Sequence, residues 1–149
     1  QQLVMELAGT IREYIKKNHG NCQIYPAPFA VNLDADDKDW VEPDISVICD
    51  PNKLTDRGCS GAPDLIFEIV SPSSRKLDYG IKNGIYSQSG VREYWIVDFV
   101  QAKILVYYFE GDNYPVIYGF DKPVPVNIYG GDLTIDFSNI AKWLEEGME

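Results

Sequence analysis

The chain has 149 residues, 45% of them hydrophobic and 13% aromatic, the composition of an ordinary globular domain with room for a sizeable core, and residues 1–149 are expected to form a single domain. Its formal charge of −10 opposes any function that rests on a broadly basic surface, because binding to a phosphate backbone normally depends on Lys and Arg. No apolar run approaches the roughly 18 residues of a membrane span, so no membrane partner is expected.

In chain order, Leu3, Val4, Leu7, Ile11 and Ile15 recur at helical spacing and predict a helix from about Gln2 to Asn18, with His19-Gly20 as its C-terminal stop. His19 is the only histidine, which argues against histidine-metal nucleases and a Ser-His-Asp triad. Cys22 to Leu33 reads as a strand bent at Pro26 and Pro28. The acidic stretch from Asp34 to Asp39 lacks the glycine and terminal glutamate of an EF-hand loop and reads as a solvated turn. Glu42 to Cys49 is the next strand, with Asp44, Ser46 and Ile48 on one face and Ile45, Val47 and Cys49 on the other. A loop from Asp50 to Ala62 follows, hinged at Gly58 and Gly61. Cys22, Cys49 and Cys59 are odd in number and show no CxxC spacing. This argues against a zinc knuckle or a disulfide framework and makes a reducing, cytoplasmic setting the simplest expectation.

Leu65 to Val70 is short, apolar and β-branched, as expected of a strand buried on both faces, yet Glu68 sits in its middle. An ionised carboxylate there is costly unless a metal ion or a lysine pairs with it. A helix is predicted from the Ser71-Pro72-Ser73-Ser74 turn to Gly90. It carries Asp78, Lys82 and Tyr86 along one face and Leu77, Ile81 and Ile85 as an apolar stripe beside it. Tyr94 to Val97 is then a strand parallel to the first. Beyond Asp98 the pattern is all-β: strands at Lys103–Phe109, Val116–Phe120, Val124–Tyr129 and Leu133–Ile135, then a small helix from about Ser138 to Glu146. Tyr107, Tyr108, Tyr114, Tyr118 and Tyr129 suit half-buried strands, with a stacking surface for bases or sugars as the sharper alternative.

Asp44, Glu68 and Lys82, with Asp78 beside Lys82, are the residue types a metal-dependent phosphodiesterase uses. Two carboxylates are hard ligands for Mg²⁺, the Ile69 carbonyl could add a third, and a lysine can stabilise charge building on the phosphate. If the Glu42–Cys49 and Leu65–Val70 strands pair, Asp44 and Glu68 lie side by side. The plainer reading of Asp78 and Lys82 is an i, i+4 pair on an exposed helix, and that of Asp64 a turn residue. From Lys53 to Arg92 the basic residues Lys53, Arg57, Arg75, Lys76, Lys82 and Arg92 outnumber Asp56, Asp64, Glu68 and Asp78, making this window net-basic.

The runs EPDISV, PDLIFEIVSPSS, DYGIKNGIY and GVREYWIVD together resemble the Uma-type family, described as putative restriction endonucleases, within the PD-(D/E)XK nuclease superfamily. The resemblance covers Gln1 to Phe109 and is most specific from Pro63 to Asp98. It implies an α/β, restriction-endonuclease-like core with a mixed central sheet flanked by helices, here followed by a β-rich extension, and Mg²⁺-dependent (or Mn²⁺-dependent) cleavage of DNA. Asp44 matches the motif aspartate and Glu68 the motif glutamate. Val70 stands where the motif lysine usually lies, and Lys82 matches the position to which the lysine migrates. Glu6 or Glu13 would fill the N-terminal helix acid used by some of the superfamily, and a homodimer is the expected assembly. The expected function is therefore a DNA endonuclease, with a catalytically inactive nuclease-fold interaction or DNA-docking domain as the alternative and a tyrosine-lined carbohydrate module as a third, weaker one.

Overall fold

The β-branched and aromatic runs of the sequence are gathered into one six-stranded sheet whose two faces take alternate side chains of every strand. The computed structural model describes residues 1–18, 20–75, 77–112 and 114–148, with the backbone alone described at Leu77, Asp78, Gly147 and Met148. The elements run α1 (Gln2–Lys17), β1 (Gln23–Pro26), β2 (Val31–Asn32), β3 (Trp40–Val41), β4 (Ile45–Ile48), β5 (Leu54–Thr55), β6 (Gly58–Ser60) and β7 (Leu65–Ile69). A π-helical turn (Leu77–Ile81) then leads into α2 (Lys82–Ser89), followed by β8 (Glu93–Asp98), β9 (Lys103–Tyr108), β10 (Val116–Gly119), β11 (Val124–Pro125), β12 (Thr134–Ile135) and α3 (Phe137–Met148). The main sheet has the order β1-β4-β7-β8-β9-β10. Only β7 and β8 run parallel in it, which makes it mixed, as expected.

On one face, Val47, Phe67, Trp95, Val97 and Val106 pack under the apolar side of α1, where Leu7 and Ile11 are fully buried, and against Phe137 of α3. On the other, Ile48, Ile66, Tyr94, Ile96 and Tyr107 pack with Val31, Leu33 and, from α2, Tyr86. The β-periodicity of the central strands β4, β7, β8 and β9 thus fills two cores at once, and a polar residue in one of them is read by the face it falls on.

Several elements differ from the expectations above. The loop from Asp50 to Ala62 contains β5 and β6, which join β2 and β3 in a second sheet of order β3-β2-β6-β5. Gly58 makes this possible: its φ is +129°, and a Cβ there would sit 2.0 Å from the Ala30 carbonyl oxygen. The Val124–Tyr129 run is a two-residue strand followed by a 3-10 turn at Asn127–Tyr129. Cys22 and Cys49 form a disulfide. Their pairing comes from the antiparallel register that sets Gln23 against Ile48, a relation between strands that linear spacing does not display. The cysteine count therefore gives no support to a reducing setting. Cys59 remains a free, buried thiol. His19, Lys76, Asn113 and Glu149 lie outside the described residues.

The tyrosines of the β extension are mostly core. Tyr107 is buried, Tyr118 and Tyr129 pack on the α1 side, and Tyr114 is open to solvent. The extension is fastened to the sheet by Glu93, the first residue of β8, which is fully buried. Its Oε2 accepts from Trp95 Nε1 at 2.8 Å, Asn127 N at 3.1 Å and Asn127 Nδ2 at 3.0 Å, and its Oε1 accepts from Ile128 N at 2.9 Å. A carboxylate so enclosed is tolerable because neutral donors saturate it. Truncating it strands those donors, so Glu93→Ala is expected to lower stability in urea denaturation by about 3 kcal/mol or more. A loss under about 1 kcal/mol would show that the 3-10 turn holds without this anchor.

Candidate active site

Asp44 lies just before β4 and Glu68 is the fourth residue of β7. Ile45 pairs with Phe67 and Ser46 with Ile66, and one further step along this antiparallel register sets Asp44 against Glu68. The side-by-side placement expected from the sequence is the one found. Asp44 is half-buried, and its Oδ2 accepts a hydrogen bond from the Ile69 N–H at 2.7 Å. That bond turns the aspartate toward the end of β7, and it is through the N–H that Ile69 takes part in this arrangement.

Glu68 is 4% exposed and falls on the face of the sheet covered by α2. The first residue of that helix, Lys82, brings Nζ to 3.2 Å from Glu68 Oε2. Tyr86, one turn later, donates its hydroxyl to Oε1 at 3.0 Å. Burial pushes the Glu68 carboxyl up to about 7, with Lys82 opposing the rise and Asp44 adding to it. The Asp78 side chain lies outside the described residues.

The helix face that carries Lys82 and Tyr86 looks back at Glu68, the orientation their spacing allows, and the apolar stripe beside it is not the buried one. Ile81 is 58% and Ile85 38% exposed, whereas Tyr86 is buried, so the Lys82–Tyr86 face meets the sheet and the isoleucine stripe does not. The physical reason is Glu68, because a buried carboxylate must be met by donors and only that face supplies them. The π-helical turn at Leu77–Ile81 spaces residues differently from an α-helix and so separates the phase of α2 from that of the chain before it. Gly90 ends α2 in the left-handed conformation, at the place the sequence indicates.

A second acid fastens the segment that leads to α2. Asp98, at the end of β8 and fully buried, accepts from Arg75 through Nε at 2.9 Å and Nη2 at 3.2 Å, from the Tyr79 hydroxyl at 3.1 Å and from Gln101 N at 3.0 Å. Burial alone would push this carboxyl up, but the Arg75 guanidinium, the Gln101 N–H and the Tyr79 hydroxyl hold it below the ordinary carboxylate range. Arg75, Tyr79 and Asp98 had no sequence signal, since their partners are about twenty residues away.

The net-basic window is not a free cationic face. Arg57 lies 3.6 Å from Asp37, Arg75 is held by Asp98, Lys82 by Glu68, and Arg92 by Asp64 at 3.2 Å and by Glu110. Lys53 donates to the Ala62 carbonyl at 2.9 Å, and Lys76 lies outside the described residues. Asp64 also accepts from Cys49 N at 2.9 Å, the structural part expected of it. Glu6 lines a groove with Thr10 and Trp143, and Glu13 one with Arg12 and Lys17; neither lines the groove at Asp44, which is formed by Val4, Met5, Pro26, Pro28 and Glu42. Burial pushes the Cys59 thiol up to about 11, partly offset by Lys53, so it is not a thiolate nucleophile at neutral pH.

Among the described residues no three His, Cys, Asp or Glu side chains cluster as a closed metal site. The facing pair Asp44 and Glu68 fits Mg²⁺ in another way, because that ion is commonly bound by one or two carboxylates and completes its shell with water and substrate phosphate. A dication there would favour the ionised form of Glu68, which burial disfavours.

Three comparisons bear on this geometry. A family model, Uma2, described as "Putative restriction endonuclease", matches residues 1–128. A solved structure described as a putative nuclease belonging to DUF820, from Anabaena variabilis ATCC 29413, superposes with a TM-score of 0.74 at 18% identity, covering 96% of this chain and 80% of that one, a likeness of fold. An uncharacterized protein of Synechocystis sp. (strain ATCC 27184 / PCC 6803 / Kazusa), slr1290, is 27% identical over 95 residues, 63% of this chain. The chain spans about half the length of that relative, 50% of it being matched.

The two acids carry opposite pH signatures. In the metal-free protein the folded Glu68 value is raised, so its contribution is fully present below the ordinary value of 4.5 and is lost as pH rises through about 7. Glu68→Gln should thus become the more stable form above about pH 7, by something on the order of 3 kcal/mol in urea denaturation, and lose that advantage near pH 5. The Asp98 value is depressed, so its stabilisation is complete above roughly pH 4 and disappears as pH falls through the lower folded value. The deficit of Asp98→Asn should accordingly shrink in acid. A Glu68→Gln advantage independent of pH would contradict the burial argument.

Proposed function

We propose that this chain, which belongs to the Uma2 family of putative restriction endonucleases, is a Mg²⁺-dependent endodeoxyribonuclease that hydrolyses phosphodiester bonds of DNA, with Mn²⁺ able to substitute. The observation that carries the reading is the pair of facing carboxylates, Asp44 and Glu68, with Lys82 Nζ 3.2 Å from Glu68. Asp44 and Glu68 would hold the ion, with the Ile69 carbonyl as the proposed backbone ligand. When bound, the ion would neutralise phosphate charge and favour hydroxide at neutral pH.

The remaining work falls to the chain. Hydrolysis adds the oxygen of water to phosphorus and breaks one P–O ester bond, and negative charge accumulates on the phosphoryl oxygens between these events. Lys82 lies within side-chain reach of Glu68 and is the group proposed to meet that charge and to orient the attacking water. Asp78, four residues before Lys82, is proposed to position the lysine or to join the ligand set. The Ile69 N–H holds Asp44 in place. A homodimer on duplex DNA belongs to the same proposal, with β10, an end strand of the sheet carrying exposed Val116 and Ile117, as the surface for the second copy.

A second reading, a catalytically silent nuclease-fold domain that docks on DNA or on another protein, is favoured by one observation: the described cations of the Lys53–Arg92 window are already engaged. Calorimetric titration of Mg²⁺ and Mn²⁺, with nicking of supercoiled plasmid on the same preparations, separates the two. Glu68→Ala is expected to abolish binding and nicking together, whereas Lys82→Ala should retain metal binding and lose nicking by about 100-fold or more. Wild-type protein that neither binds metal nor nicks would leave the docking domain as the function.

A further inference from the structure

Glu68 is gripped at both oxygens by one face of one helix. Lys82 Nζ stands 3.2 Å from Oε2 and the Tyr86 hydroxyl 3.0 Å from Oε1, and the two residues are one helical turn apart on α2. The geometry points to Tyr86 as a positioning residue that sets the plane of the Glu68 carboxylate toward a divalent cation, an inference that rests on the nuclease reading above.

The two donors differ in kind. Lys82 is partly exposed, flexible and charged, and it is the group assigned to the phosphate. Tyr86 is 1% exposed, and its ring meets Tyr94 edge-on at 4.9 Å, which in turn stacks on Tyr107 at 6.1 Å. A phenol backed by such a column does not follow the substrate. It donates one hydrogen bond without adding charge to the site. Each carboxylate oxygen accepts along more than one direction, so a donor on Oε1 leaves room there for a cation while fixing the torsion of the group.

Asp44 is treated in the same manner. Its Oδ2 takes the Ile69 N–H at 2.7 Å, again a neutral donor built into the frame. Both carboxylates are thereby aimed by neutral donors built into the fold, and the Lys82 ammonium supplies the charged contact. A phenylalanine would fill the buried space equally well, so what the hydroxyl adds is orientation of Glu68. Hydrogen-bond partners of ligating carboxylates act on metal affinity in this way.

Tyr86→Phe keeps the ring and removes the hydroxyl. Calorimetric titration with Mn²⁺ is expected to show affinity weakened about 10-fold to 100-fold. The metal concentration for half-maximal plasmid nicking should rise by a similar factor, with the rate at saturating metal preserved within a few-fold. Thermal melting of the metal-free variant should fall modestly, as expected on removing one donor from the buried Glu68, and Tyr107→Phe, which removes a hydroxyl from the same aromatic column, should leave Mn²⁺ affinity unaltered. Wild-type Mn²⁺ affinity in Tyr86→Phe, with the wild type itself binding and nicking, overturns the role of Tyr86 and leaves the nuclease reading standing. A drop in affinity matched by Tyr107→Phe overturns it also, since packing would then be the cause. A wild type that binds no metal removes both.

Discussion

The constraint on which the rest depends is a carboxylate placed inside a sheet. Glu68 is enclosed by the strands on either side and by α2 above, and the free energy of holding it there dictates the orientation of that helix. Apolar periodicity alone would turn Ile81 and Ile85 inward. The donors of Lys82 and Tyr86 take that place instead, and the isoleucines face solvent. A polar requirement at one residue has overridden a hydrophobic preference along a helix of eight residues.

Two buried glutamates on neighbouring strands show what separates a structural acid from a poised one. Glu93 and Glu68 point to opposite faces of the sheet. Glu93 is enclosed by four neutral N–H donors that saturate it, and it sews the C-terminal extension to β8. Glu68 has one cation, one phenol and a second carboxylate opposite, and its carboxyl is pushed up toward neutrality. Saturation marks the first as architecture. The second is held where burial disfavours its ionised form, the kind of perturbed acid that clusters at functional sites.

Much of this was legible in the sequence, for reasons that can be stated residue by residue. Glu68 stood out because a charge in a β-branched run violates the local pattern, and the period-2 alternation of Glu42 to Cys49 put Asp44 on the face where it is found. Gly90 signalled the end of α2. What stayed hidden depends on partners distant in sequence. The Cys22–Cys49 disulfide follows from the register of β1 on β4, and the pairing of Arg75 with Asp98 and of Arg92 with Asp64 from the packing of segments more than twenty residues apart. The described cations of a window that sums to positive charge are thus engaged by acids inside and outside it and, for Lys53, by a carbonyl, which no count of residues displays. The β5–β6 hairpin carries no sequence signal because strands of two and three residues have too little periodicity to register.

The grip of Arg75 and Tyr79 on Asp98 has a mechanical meaning for the lysine. β7 and β8 are parallel neighbours, and the segment joining them is pinned to the end of β8 before α2 begins, so strand, crossover and strand form a closed loop with its clasp beside the site. Lys82 sits a few residues beyond the clasp. Its backbone follows a segment tied to the end of β8, and its ammonium is tied to the middle of β7, so one residue is referred to both parallel strands.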